Sequence, residues 1–372
     1  MGGLATMASW VGEKDSCLHG GNLREAAERY RLKDKEIIDF SANINPLGFP
    51  QKVKEIISFH TQAISHYPDS DCKILKKALS QYLNINENNL LIGNGSMELI
   101  FLITFALRPK RTLIPIPAFG EYERAVDLIK GKCFFLKTCE SNDFAIKVNE
   151  IVKHLSYVDL VFVCNSNNPT GFLFGKEELR FLANRCEKKG VFLIIDEAFM
   201  DFVKEKNQLS LIKYAITKSH VLVLQSMTKF FALAGLRLGY LIGNKTLLKS
   251  IKTYQPPWSV NVLAQLAGVE ILKDRSFIKE TRKYIFAQRK WLFDELKKLE
   301  YLKPYLPTAN FIFCKLKGSQ INAKQLCGYC GRKGVLIRDC SNFRGLDNHF
   351  IRIAVRKKEE NSKLIKTLKE LP

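Results

Sequence analysis

The chain has 372 residues, of which 46% are hydrophobic and 26% charged, with 22 Gly and 12 Pro; this globular composition excludes a collagenous, low-complexity or wholly disordered protein. Its 58 Lys and Arg against 37 Asp and Glu give a formal net charge of +21 at pH 7, which favours anionic ligands without selecting one. The lysines are spread along helical stretches, as at Lys73, Lys76 and Lys77, and read as solvated faces, so no nucleic-acid partner is expected.

In chain order, Met1 to Trp10 carry no charge and lack the basic start of a secretory leader. The longest apolar stretches, such as Leu99 to Leu107 and Val191 to Ile195, fall well short of the roughly 20 residues that cross a bilayer. A cytoplasmic protein with no membrane partner is the expectation. Short, continuously apolar runs then recur at Leu90–Gly93, Thr112–Pro115, Leu160–Cys164, Val191–Ile195, Val221–Leu224 and Leu238–Ile242. Continuous rather than alternating hydrophobicity means burial on both faces, the mark of a mostly parallel sheet covered by helices. Helical patterns lie between the runs, at Met97–Leu107, Phe119–Ile129, Lys176–Lys189 and Leu209–Ile216. Beyond about residue 250 the pattern changes to long amphipathic helices, Val260–Lys273 and Phe277–Lys298. Alternating strands follow at Asn310–Cys314, Val335–Arg338 and Phe350–Ala354, then a closing Lys/Glu-rich helix. The fold class expected is α/β, with a large domain over 46–255, a smaller α+β domain over 256–372, and residues 1–45 forming an N-terminal arm that is part of the small domain.

Ten cysteines are scattered without the density of a disulfide scaffold. Cys327-Gly-Tyr-Cys330 is the one CxxC pair; lacking a second pair or a histidine couple, it reads as structural, and no metal is expected.

Ligands of an open α/β sheet collect beyond the carboxyl ends of its strands, so the polar residues after each apolar run should converge. Those residues are Gly93-Asn94-Gly95-Ser96, entering a helix whose free N–H groups suit an anion; Asn165 to Gly171; Asp196-Glu197-Ala198-Phe199; and Gln225-Ser226-Met227-Thr228-Lys229 with Arg237 downstream. A lysine, an aspartate, an asparagine, an arginine and a phosphate-type turn at strand ends are what pyridoxal phosphate requires. Its aldehyde needs an amine, its pyridine nitrogen a carboxylate, and its phosphate amides, hydroxyls and a guanidinium.

The order Asn168-Pro-Thr-Gly, Asp196-Glu-Ala, Ser226-x-Thr-Lys229 and Ala234-Gly-Leu-Arg237-x-Gly resembles the fold-type I aminotransferase superfamily over nearly the whole chain. The resemblance implies a large domain built on a mostly parallel seven-stranded sheet, pyridoxal 5'-phosphate as cofactor and a homodimer. It implies Lys229 as the Schiff-base lysine, Asp196 as the pyridinium partner and Asn168 as donor to the ring 3-oxygen. Arg237, Ser226, Thr228 and the Gly95, Ser96, Met97 turn would hold the phosphate. Phe119 would stack on the ring, and Tyr67 would reach the phosphate of the other subunit.

Histidinol-phosphate aminotransferases share these motifs but carry tyrosine where this chain has Phe199. Three further segments resemble the threonine-phosphate decarboxylases of cobalamin biosynthesis: His19-Gly20-Gly21-Asn22, the run from Phe40 through Asn43 to Gly48, and Ile337 to Leu346 with Phe350 to Arg356. That likeness implies decarboxylation of a phosphorylated amino acid, with histidinol-phosphate transamination as the alternative. The implied substrate-binding residues are His19, Gly20, Asn22, Asn43, Arg338 and Arg352. Arg352 would clamp the α-carboxylate, and Arg338 with His19 and Asn22 the phosphate.

Overall fold

A computed structural model describes residues 19–318 and 321–371; the leader reading of Met1 to Trp10 and the thiol of Cys17 lie outside the described residues. Seven strands form the central sheet in the spatial order Leu90–Asn94, Leu238–Gly243, Val221–Ser226, Phe192–Asp196, Leu160–Cys164, Arg111–Ile116, Lys132–Lys137. Neighbours run parallel except at Leu238–Gly243, which is antiparallel to both strands beside it. Alternate side chains enter separate cores on the two faces. Val161 and Val163 join one, Leu160 and Phe162 the other, which is why these runs are apolar throughout.

The helices follow local rules. Lys176–Lys189 has the boundaries its pattern predicts: Glu178 Oε2 accepts from Gly175 N at 2.8 Å at its start, and Gly190 ends it at φ +65°. Gly95–Leu107 begins two residues earlier than its apolar run, because Gly95 and Ser96 already lie in the first turn.

Three expectations are corrected. Lys132–Lys137 is an edge strand that half-exposed residues concealed. The single helix expected over Leu209–Ile216 is two short helices, Lys206–Leu209 and Ile212–Ala215, broken where the Ser210 hydroxyl and Leu211 N–H turn to Glu197. The strand expected over Val335–Arg338 is two: Val335–Leu336 pairs in parallel with Ile38–Asp39, and Arg338–Asp339 joins another sheet. That second sheet is antiparallel, in the order Arg338–Asp339, Phe350–Ala354, Phe311–Leu316, Leu302–Pro304. Val262–Lys273 and the 23-residue helix Arg275–Lys297 stand where long helices were expected. No helix among the described residues is long and apolar enough to cross a membrane.

Candidate active site

Register places the polar strand ends at one edge of the central sheet, with Cys164 opposite Asp196, and Ser226 opposite Gly239. Lys229 follows the strand Val221–Ser226 on a one-turn helix, Met227–Phe230. Its Nζ donates to Ser226 Oγ at 3.3 Å and Thr228 Oγ1 at 3.1 Å, and the two hydroxyls are 2.7 Å apart. Burial pushes the Lys229 ammonium down to about 8; Asp196 opposes this shift, while Arg237 and Arg352 add to it. The ring of Phe199 lies beneath, its centroid 5.6 Å from Nζ.

Asp196 is buried, and burial raises its carboxyl above the ordinary range. Two donors oppose that: the Tyr122 hydroxyl, 2.6 Å from Oδ2, and the Ala198 N–H, 2.9 Å from Oδ1. Tyr122 stacks on Phe162 with centroids 4.7 Å apart, and Phe119 meets Tyr122 edge-on at 5.7 Å. A planar ring over Asp196 would thus find aromatic walls and a carboxylate at its edge.

A cradle for an anion stands beside it. Gly95 adopts φ +77° at the start of its helix, and a Cβ there would come within 2.7 Å of Arg237 Nη2. A Cβ on Gly239 would come within 2.6 Å of the Ser96 N–H. Two glycines therefore let the first turn, Gly95, Ser96 and Met97, settle against the guanidinium of Arg237 and the strand Leu238–Gly243. This set of amides, hydroxyls and one guanidinium fits a phosphate group, and the amine and carboxylate beside it fit an aldehyde and a pyridine nitrogen.

The second sheet adds two arginines, one of which reaches Asn168 at the strand ends. Arg338 and Arg352 face each other in antiparallel register, and both are buried, 7% and 6% exposed. Arg352 donates from Nη1 to Asn168 Oδ1 and from Nη2 to Ser41 O at 2.7 Å, and burial lowers it to about 10. With its oxygen taken, Asn168 has its amide N–H groups to offer a ligand. Arg338 donates to Asn342 Oδ1 at 2.9 Å, and Phe343 packs against its guanidinium. Gly20 presses on Ser41, where a Cβ would lie 2.4 Å from the carbonyl oxygen. Asn43 is buried, its carbonyl accepting from Asn310 Nδ2 at 2.9 Å while its own Oδ1 has no partner.

His19 and Asn22 depart from the expected pairing. His19 Nε2 lies 2.7 Å from Glu121 Oε1, with its ring 5.7 Å from Phe119, so it borders the site facing a carboxylate. Asn22 turns its side chain to the helix that follows it. It is exposed and caps the helix Leu23–Tyr30, its Oδ1 accepting from Glu25 N at 3.2 Å, because Asn before a helix satisfies the free N–H groups of the first turn. Tyr67 is 81% exposed and stacks on Trp258 at 4.5 Å, outside the cluster around Lys229.

Tyr122, Glu121 and Ser41 went unread in the sequence. A buried aspartate at a strand end needs a donor, but nothing local says that it comes 74 positions upstream.

Residues 35–368 match the family model for aminotransferase class I and II, and the chain belongs to that family. It is 35% identical to the threonine-phosphate decarboxylase of Salmonella typhimurium over 95% of this chain and 96% of that one. Among solved structures, the histidinol-phosphate aminotransferase of Clostridium acetobutylicum is 33% identical with a TM-score of 0.83, covering 89% of this chain and 97% of its own. The L-threonine-O-3-phosphate decarboxylase of Porphyromonas gingivalis is 27% identical with a TM-score of 0.81, covering 89% of this chain and 98% of its own.

Proposed function

We propose that the chain is a pyridoxal phosphate-dependent decarboxylase that converts L-threonine O-3-phosphate to (R)-1-amino-2-propanol O-2-phosphate and carbon dioxide, a step of cobalamin biosynthesis. The observation that carries this reading is the buried pair Arg338 and Arg352. Two guanidinium groups opposed across one ladder and taken out of water repel each other, and a ligand with two anionic groups offsets that cost. Phosphothreonine brings a carboxylate and a phosphate. Histidinol phosphate brings only the phosphate, and would leave Arg352 to serve an oxo-acid acceptor in a separate half-reaction.

Bound at Lys229, the cofactor supplies an electron sink for whichever Cα bond stands perpendicular to its ring. The protein decides which bond that is. Arg352, fixed by Asn168 and Ser41, holds the carboxylate; Arg338, fixed by Asn342, holds the phosphate, with His19, Gly20 and Asn43 bordering the same space. Gripping both ends of the substrate sets its rotation about Cα. Lys229, in its ammonium form, then delivers to Cα the proton that takes the place of carbon dioxide, and solvent resupplies it. Asp196, held by Tyr122, would supply the carboxylate that the ring nitrogen requires.

The substrate would bind between the large domain, 46–255, and the smaller one, 256–372. A homodimer is part of the proposal: Phe59, Ile64, Tyr67 and Ile74 are large apolar side chains more than 60% exposed, and a second copy covering them would bring Tyr67 to its neighbour's phosphate cradle. The cytoplasm suits the nine described cysteines, all free thiols.

The test is incubation of the purified protein, loaded with cofactor, with O-phosphothreonine, and separately with histidinol phosphate plus 2-oxoglutarate. Carbon dioxide and aminopropanol phosphate from the first mixture support the proposal. Glutamate from the second, without gas from the first, overturns it in favour of the aminotransferase.

A further inference from the structure

Lys229 rides on a helix of four residues, too short to hold itself, and the last carbonyls of such a helix need partners from outside it. Asn45 reaches two of them, that of Phe230 and that of Lys229, which also accepts from Ala232 N at 3.3 Å. Its backbone N–H donates to Lys229 O at 3.0 Å, and its Nδ2 donates to Phe230 O at 2.7 Å. Nδ2 also donates to Thr281 Oγ1 at 3.1 Å, while Oδ1 accepts from Leu47 N at 3.0 Å. Asn45 is 2% exposed, and each polar atom of its side chain has a partner. The amide cannot be turned over, since Oδ1 would then face the carbonyl oxygen of Phe230.

We propose that Asn45 is a positioning residue for Lys229, setting the place of its amine relative to the substrate clamp; this rests on the reading of Lys229 as the cofactor-bearing lysine. Three alternate residues of the arm make the connection. Ser41 O accepts from Arg352, Asn43 O accepts from Asn310, and Asn45 holds the carbonyls of Lys229 and Phe230. One short backbone thus carries both the group that grips the carboxylate and the segment that delivers the amine. The helix Arg275–Lys297 braces it through two adjacent residues: Thr281 accepts from Asn45, and the Arg282 guanidinium lies 5.8 Å from the centre of the Phe230 ring. Because reacting groups tolerate little displacement, losing this tether should lower turnover more than binding.

The experiment compares cofactor-loaded wild type, Asn45→Ala and Thr281→Val by the pH titration of the visible absorbance band and by steady-state kinetics on O-phosphothreonine. In Asn45→Ala the band should persist with its pH midpoint moved by about half a unit or more. There kcat should fall on the order of tenfold or more, with KM within about twofold of wild type. Thr281→Val, which removes only the brace, should move the midpoint the same way by less. An unmoved midpoint with kcat within about twofold of wild type in Asn45→Ala overturns the proposal. If Asn45→Ala does not fold, Thr281→Val decides, and an unmoved midpoint there overturns it. A wild type with no band overturns the cofactor reading, and this inference with it.

Discussion

Tyr122 donates its hydroxyl to Asp196 Oδ2 at 2.6 Å, joining the helix after Arg111–Ile116 to the carboxyl end of Phe192–Asp196. Burial disfavours the charged aspartate, and Tyr122 is one of two donors that make the charge tolerable. Tyr122→Phe should therefore raise the Asp196 carboxyl further. Because a carboxyl raised in the folded state costs stability as the pH rises through its folded value, the loss should be about 1–3 kcal/mol at neutral pH and shrink in acid. Urea denaturation of the cofactor-free protein at several pH values checks this.

The depressed Lys229 amine makes a kinetic prediction. A lysine held near 8 instead of its usual 10.5 is largely neutral, and so nucleophilic, at mildly alkaline pH. Capture of pyridoxal phosphate by the cofactor-free protein should accelerate with pH to a midpoint near about 8. Asp196 is the leading influence that raises this value, so Asp196→Asn should move the midpoint lower still. Stopped-flow absorbance measures both.

The two arginines should separate by substrate. Arg352→Ala removes the donor to Asn168 Oδ1 and Ser41 O as well as the carboxylate clamp, and should lower kcat/KM for phosphothreonine roughly 10²-fold or more. Arg338→Ala should raise KM for phosphothreonine while leaving whatever turnover threonine itself shows nearly unchanged. Steady-state kinetics with the two amino acids checks the division.

At Gly95, an added methyl group meets Arg237 Nη2 at 2.7 Å on a backbone with φ +77°. Gly95→Ala should displace the guanidinium and weaken cofactor binding by about tenfold, with a stability loss of about 1 kcal/mol. Equilibrium titration of the cofactor-free variant with pyridoxal phosphate reads the first, thermal unfolding the second.

What was legible in the sequence was whatever burial or local chemistry imposes on consecutive residues. Leu160–Cys164 announces itself because all five residues are buried, and Lys176–Lys189 because its start, stop and charges agree. Lys132–Lys137 did not, since an edge strand buries too little to be continuously apolar. The break at Ser210 and Leu211 is made by Glu197, a residue outside that segment. The site divides the same way. Lys229, Ser226 and Thr228 lie within one turn, and their contact follows from their spacing. Glu121 against His19, Tyr122 against Asp196 and Asn45 against Phe230 join distant segments, and no local pattern encodes them. Asn22 shows the converse, a residue singled out by motif that the backbone uses as a helix cap.

The central claim is that Lys229 carries the cofactor. Borohydride reduction of the purified, cofactor-loaded protein, followed by digestion and mass spectrometry, locates the attachment directly. A single pyridoxyl phosphate label on the peptide containing Lys229, lost in Lys229→Ala together with the visible absorbance, is the expected result. A label on a different lysine, or none on a protein that still releases carbon dioxide from O-phosphothreonine, would contradict it.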